Sequence, residues 1–331
     1  MRSSTAGWSL KCGALDSNLY SEDDYWELFN AFFSPRSMKR NSYKFALIKS
    51  ILDSAAVCTE NNEYKISYNI LFEKFTHNYW NLVCKFKLKQ MRKDGKSEIS
   101  KIESVLLSFL QMKANSVFIE FDRIDENEKK QLITLVEKNC KQYVIGALYQ
   151  DFEGKLYGFE EKGVDLVFNK YVIEFLIKYK KSIQIINYYY WAKFLEEINP
   201  PENTQMLLDK LELATPMRSD LSKYRKLLLH AGEHSCFYCG KALGEELHVD
   251  HFIPWSFMHD DNLWNFVLAC PKCNIKKKDK IAKGKMETLL SRNLLMSNIP
   301  EFKDEFKGYS SENHIKLMEY ALKQGYKEIF F

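Results

Sequence analysis

Two C-x-x-C pairs, Cys236-Phe-Tyr-Cys239 and Cys270-Pro-Lys-Cys273, stand thirty residues apart in the last third of this 331-residue chain. No other feature restricts the fold as much. Each turn presents two thiolates, and four thiolates complete the tetrahedron that structural zinc prefers. One Zn²⁺ would staple the two ends of the intervening segment together. A site closed by four protein ligands has no open position for chemistry, so its work is to hold. A thioredoxin-like redox centre needs a single dithiol beside a βαβ unit and is disfavoured. The other four cysteines, Cys12, Cys58, Cys84 and Cys140, have no partner at ligand spacing. They read as buried small hydrophobes rather than half-cystines.

At about 150 residues per domain the length allows two domains. Hydrophobic residues are 46% and charged residues 28% of the chain, which excludes global disorder and low-complexity scaffolds. No run of about 18 apolar residues exists, so no membrane span is expected. The stretch MRSSTAGWSLKCGALDSN lacks the apolar core of a signal peptide, so a cytoplasmic location is expected. The net charge of +4 decides nothing about partners unless it is concentrated somewhere. Aromatic residues at 15% imply well-filled cores or sticky surfaces, and composition does not choose between them.

The first 20 residues carry no apolar period and read as a loose arm. Helical spacing begins at Glu22, with Tyr25, Trp26, Leu28, Phe29, Phe32 and Phe33 on one face, and Ser34-Pro35 ends it. Helices are expected over NSYKFALIKSILDSA, over 67–90, 98–112 and 126–139, and through NKYVIEFLIKYKKSIQIINYYYWAKFLEEIN. Residues 143–168 read differently: YVIGALYQD, KLYGFE and VDLVF are β-prone and broken by Gly154 and Gly163, as in a small three-stranded sheet. Asn199-Pro200-Pro201 stops the last long helix, and a linker is placed from Asn199 to about Met217. A further helix, SDLSKYRKLLLHAG, leads into the first cysteine pair. The expected class is mainly α with a small α+β part. A mostly helical region over 1–214 precedes a zinc-stapled domain over 215–331, with its core at 230–280 and C-terminal helices. Basic runs at Lys85, Lys87, Lys89, Arg92 and Lys93, and at Lys178, Lys180 and Lys181, read as solvated helix faces.

Five of the seven histidines fall between His230 and His259, in and just before the clamped segment. Leu247 to Ile253 alternates and is β-prone, and Pro254 ends it. Leu263 to Ala269 is a second strand-like run, and a helix is expected to start with Asn274-Ile275-Lys276-Lys277. The order is strand, loop, strand, helix, pinned by metal: a ββα-metal unit. Trp255 and Trp264 read as packing, His77 as a satisfied core or surface histidine, and His259 as an exposed loop residue.

This stretch resembles the HNH endonuclease family. Asp250-His251 matches the family's first element, Asn265 the second, and Asn274 with Lys277 the third, over roughly residues 230–280, and the resemblance makes Asp250, His251, Asn265 and Asn274 the candidate catalytic residues. Asn262 is a rival for the middle asparagine; the apolar run into Cys270 that follows Asn265 favours the latter. The resemblance implies a metal-dependent endonuclease, acting on DNA and leaving 5′-phosphate and 3′-hydroxyl ends. In it His251 is the general base and Asp250 and Asn274 hold Mg²⁺ or Mn²⁺. The residue chemistry agrees: a hard cation takes oxygen ligands, and a neutral imidazole accepts a proton from water. Asp250 and His251 would point to opposite faces of a regular strand; the resemblance implies that the strand is irregular there. His248 is either half of a second metal pair with His251 or a structural, phosphate-facing residue.

PKCNIKKKDKIAKGK holds seven lysines against one aspartate, the local surplus that the whole-chain charge conceals. Lys272, Lys276, Lys277, Lys278 and Lys280 are its candidate phosphate contacts. Two alternatives stand beside a DNA endonuclease: an RNA-cleaving or toxin-like HNH nuclease, and a non-catalytic zinc module that binds nucleic acid. By analogy with HNH domains joined to unfamiliar helical regions, a prokaryotic anti-phage defence role is expected, with an ATPase or sensor as partner. The chain has no G-x-x-x-x-G-K-[ST] segment, so any nucleotide-driven step belongs to that other subunit.

Overall fold

Several helices start where the sequence supplies a capping oxygen. Ser21 opens α1 (Glu22–Phe33) with a capping box: its hydroxyl accepts from the Asp24 amide at 3.2 Å while the Asp24 carboxylate accepts from the Ser21 amide at 2.7 Å. Ser100 and Glu103 repeat the device at α4 (Lys101–Gln111). Asp125 opens α5 (Glu126–Asp151), and Asn169 opens α6 (Lys170–Lys178). The computed structural model describes residues 10–34, 37, 39–56, 64–93, 99–112, 118–213, 221–258 and 260–331. They fall into an N-terminal unit, within 10–213, and a C-terminal unit, within 221–331.

In the N-terminal unit α2 (Tyr43–Ser54) packs against α3 (Tyr68–Trp80), α5 and α7 (Lys180–Ile198), and α5 also against α3 and α4. Aromatic rings fill the space between them. Phe29, Phe32, Phe45, Phe72, Phe75, Tyr79, Trp80 and Trp191 are all at most 2% exposed, so much of the aromatic content goes into this core. The small sheet has the order β1 (Lys65–Ser67), β3 (Asp165–Val167), β2 (Gly158–Phe159), with Ile66 and Phe159 both opposite Leu166.

Several expectations are corrected here. Residues 143–151 are not a strand; they finish α5, because Val136, Cys140, Val144 and Leu148 recur every four residues on its buried face. Tertiary packing overrides the local β preference, and the third strand comes instead from Lys65–Ser67. The helix expected to reach residue 90 ends in a π-helical turn, Asn81–Lys85, and Lys87 at φ 54° turns the chain out of helix. The expected linker after Asn199 contains α8 (Pro201–Thr204) and α9 (Leu207–Leu213). The arm is not loose where it is described: Gly13 exchanges both backbone bonds with Phe159, at 2.8 and 2.9 Å. A Cβ at Gly13 would sit 2.5 Å from the Tyr149 ring, so only glycine allows that approach.

Half of the residues in the two basic runs face an acidic partner. Lys85 meets Glu120, Arg92 meets Glu197 and Lys178 meets Glu22. Lys180 is buried, 3.9 Å from Asp53. His77 is a core histidine stacked on Phe121 at 4.7 Å, and burial pushes it down to about 3. Cys84 and Cys140 are buried and pushed up to about 12 by that burial. Cys12 is exposed, contrary to expectation, and Cys58 and His259 lie outside the described residues.

The C-terminal unit is built on α10 (Ser222–His230), a hairpin of β4 (His248–His251) and β5 (Phe266–Ala269), α12 (Pro271–Lys277), α13 (Met286–Ser297) and α14 (Ser311–Lys323). A short helix, α11 (Trp255–Met258), lies in the hairpin loop. The strand-like run from Leu263 is split, with a 3₁₀ turn at Leu263–Asn265 before β5. The last helix of the finger begins at Pro271, three residues earlier than the sequence suggested. Trp264 is buried and Trp255 only half-buried.

His314 of α14 packs edge-on against Trp264 at 4.8 Å and is 1% exposed, with neither ring nitrogen hydrogen-bonded. Burial, with Arg292 nearby, lowers it to about 3. The unfolded chain, with histidine near 6.5, therefore binds this proton first. The stabilising contribution is complete above that value and is lost as pH falls from about 6.5 towards 3. His314 alone should cost the C-terminal unit roughly 3 kcal/mol by pH 4. Acid titration of unfolding free energy, wild type against His314→Leu, checks this; parallel losses in the two proteins would refute it.

Candidate functional site

Cys236 and Cys239 flank a tight turn closed by the Gly240 amide on the Cys236 carbonyl at 2.8 Å. Gly240 has φ 72°, the left-handed region that strains any side chain, which is why glycine follows the second cysteine. Cys270 caps α12, Pro271 fills the first helical position, where no amide donor is needed, and Cys273 lies on the first turn. The four Sγ atoms lie within 4.8 Å of one another. Around zinc, with bonds near 2.3 Å, tetrahedral thiolates sit about 3.8 Å apart, so a small contraction completes the shell. Burial works to raise the Cys236 thiol, but the Cys270, Cys239 and Tyr238 amides outweigh it and bring it to about 7. The donors, their closeness and this ready thiolate fit structural zinc.

β4 pairs with β5 in unbroken antiparallel register, Asp250 opposite Val267 and His251 opposite Phe266. The expected irregularity is absent, so His248 and Asp250 leave the strand on one face and His251 on the other. Phe252 and Ile253, the next two residues, form a bend.

On the first face Asp250 is 8% exposed. Its Oδ2 accepts from the Tyr238 hydroxyl at 2.5 Å and lies 3.1 Å from the Lys277 ammonium. Lys277 is fully buried and also donates to the His251 carbonyl at 2.7 Å. This corrects its expected place among the phosphate contacts: its charge is turned inward, binding side chain and backbone of two neighbouring residues. Removing one member of such a buried pair typically costs ~3–5 kcal/mol. Tyr238 is itself buried, and its ring stacks on Phe331 at 4.5 Å. Asn274 Nδ2 lies 2.9 Å from His248 Nδ1. Asp250 Oδ1 and the Asn274 carbonyl oxygen remain as hard oxygen donors, a set that fits Mg²⁺ or Mn²⁺ completed by waters and substrate phosphate.

On the other face His251 is 5% exposed, edge-on to Phe266 at 4.5 Å, with Nε2 2.8 Å from Asp261 Oδ1. Asn265 is fully buried and brackets Ile253, accepting from its amide and donating to its carbonyl, both at 2.9 Å. Its own backbone carbonyl accepts from the Phe252 amide at 2.7 Å. Asn265 is thus a structural bracket holding the loop's two ends together. Its rival Asn262 makes no such pair; its Nδ2 is buried without a partner.

Of the remaining lysines, Lys272, Lys276 and Lys278 are exposed and Lys280 half-buried. The Lys276 ammonium donates to the Phe330 carbonyl at 3.0 Å and lies over the Phe331 ring. Four residues that matter here had no motif to announce them: Tyr238, Asp261, Arg292 and Asn293. Arg292 donates to the Phe266 carbonyl at 2.6 Å and Asn293 to the Trp264 carbonyl at 2.8 Å, securing the entry to β5 from α13.

Among the described residues no helix is long and apolar enough to cross a membrane. No curated protein and no solved structure matches the chain. Residues 236–283 match the family described as HNH endonuclease, a span that takes in all four cysteines, both strands and α12. That match, on a finger whose four thiols are gathered for zinc, makes the C-terminal unit of this chain the carrier of an HNH endonuclease domain.

Proposed function

We propose that the protein is a metal-dependent endonuclease that hydrolyses phosphodiester bonds of DNA, with His251 as general base. What supports this reading is that Asp250 and His251 on β4, though on opposite faces of the strand, and Asn274 on α12 all belong to the hairpin and helix beside the cysteine cluster. Asp250 and Asn274 would hold the divalent cation. When bound, that cation supplies Lewis-acid stabilisation of charge at the scissile phosphate. His251 takes the proton of the attacking water. Lys277 and Tyr238 fix the Asp250 carboxylate by occupying one of its oxygens. Lys272, Lys278 and Lys280 contact backbone phosphates without reading sequence. Phosphodiester ends are left as 5′-phosphate and 3′-hydroxyl.

The helical N-terminal unit selects substrate or docks a partner in this reading. The setting that fits is the cytoplasmic nuclease effector of a prokaryotic anti-phage defence system, partnered by an ATPase or sensor subunit. RNA cleavage is the competing activity.

Purified protein incubated with plasmid, linear DNA and RNA, with Mg²⁺ or Mn²⁺ against EDTA, tests the activity while zinc content is followed in parallel. DNA cut only with added cation is expected; RNA cut in place of DNA would overturn the substrate, and no cleavage of either would overturn the nuclease. In the same binding buffer, Lys272, Lys278 and Lys280 changed together to Gln should weaken DNA affinity uniformly. The slope of log affinity against log salt should flatten by roughly 0.9 per lost contact. An unchanged slope would make these lysines a solvated face. Lys276 is left out because Phe330 engages it, and Lys277 because it is internal.

A further inference from the structure

The loop between β4 and β5 carries an aspartate with no role so far. Asp261 Oδ1 stands 2.8 Å from His251 Nε2, with side chains 17% and 6% exposed respectively. Its backbone is held on both sides. The carbonyl accepts from the Tyr224 hydroxyl of α10 at 2.9 Å, and the amide donates to Asp260 Oδ1 at 3.0 Å. The Asn265 amide donates to the Asn262 carbonyl one residue further on, at 2.9 Å. Burial, then the carboxylates of Glu305, Asp261 and Asp260, keep the Tyr224 hydroxyl protonated and so a donor. Phe266 touches both the His251 ring, at 4.5 Å, and the Tyr224 ring, at 4.6 Å, so one side chain walls the histidine and its holder together.

A carboxylate on one ring nitrogen decides where a neutral imidazole keeps its proton. Nε2–H donates to Asp261, and the lone pair is left on Nδ1. The ring's hydrogen bond is made through Nε2 alone among the described residues. We infer that Asp261 is the positioning residue of His251: it fixes the tautomer in which Nδ1 is the basic atom and holds the ring plane. The inference rests on the nuclease reading. The step balances: a water O–H bond breaks, its proton goes to Nδ1, and its electron pair forms the new O–P bond. The 3′-oxygen leaves with the P–O electrons and is protonated by solvent. Nε2 keeps its hydrogen throughout.

The test uses the full chain with zinc in place. Asp261→Ala should lower kcat for Mn²⁺-dependent plasmid cleavage about 10–100-fold, the usual cost of losing the partner that orients a functional histidine, with KM for DNA little changed. Asp261→Glu should recover part of the loss. Nitrogen-15 spectra of the His251 ring should show the Nε2–H tautomer in wild type and a mixture in Asp261→Ala. Should Asp261→Ala fail to fold, Tyr224→Phe loosens the same aspartate without removing its charge and should give a smaller fall in kcat. Wild-type rates with an unchanged tautomer would overturn the inference, as would a KM effect alone. A wild-type protein that cuts no nucleic acid would instead overturn the nuclease reading, and the ring spectra would still report on the Asp261 bond.

Discussion

His251→Ala is expected to lower DNA cleavage by about 10²–10⁴-fold, the usual contribution of a positioned general base. Zinc content and DNA affinity should stay near wild type, because the side chain touches neither the cysteine cluster nor the exposed lysines. Asp250→Ala and Asn274→Ala should also be slow, but excess Mn²⁺ should recover part of their activity and none of that of His251→Ala. The contrast separates a proton acceptor from oxygen donors that hold a cation. His248→Ala is the control: it shares a hydrogen bond with Asn274 but is assigned no proton. If His248→Ala abolished cleavage while His251→Ala cut normally, the base would be misassigned.

Zinc removal should have the largest structural effect. Structural zinc sites supply ~10–16 kcal/mol of apparent binding energy, which is folding energy when no site exists in the unfolded chain. Whole domains are stable by ~5–15 kcal/mol. Cys270→Ser, which also disturbs the cap of α12, should therefore unfold the C-terminal unit, read as loss of its protease resistance and of one zinc per chain. The helices of the N-terminal unit should keep their cooperative melt in the same variant. A zinc-free protein of unchanged stability would refute the four-thiolate site; collapse of both units together would show that they do not fold separately.

The zinc cluster was legible because metal chemistry dictates both residue type and spacing, and no tertiary information is needed to see four thiols in two turns. Helices with long apolar periods were legible for a similar reason: Phe29, Phe32 and Phe33 show their buried face in the sequence itself. Failures came where long-range packing decides. The β-prone residues 143–151 are helical because α5 continues through them, and a three-residue strand such as Lys65–Ser67 has no readable period. Lys277 hid among seven lysines, although it follows buried Cys273 by one helical turn, the one local sign that it faces inward. Asp261 could not be read at all. Ten residues separate it from His251, and only the loop closure by Asn265 brings them together.

The contacts of α13 and α14 bear on how this finger can be moved between proteins. Residues 236–283 hold every metal donor and the proposed reacting groups, yet they do not make a portable cassette. The carbonyls of Trp264 and Phe266 take their donors from Asn293 and Arg292, and Trp264 is covered by His314. The backbone of Ile281 is bonded to Lys327 and Ile329. Two buried carbonyls, a tryptophan face and the bridged backbone of Ile281 would be laid open in a graft cut at the family boundary. The smallest piece that keeps these contacts reaches from α10 to the final residues, so moving this domain between chains has to carry its C-terminal helices along.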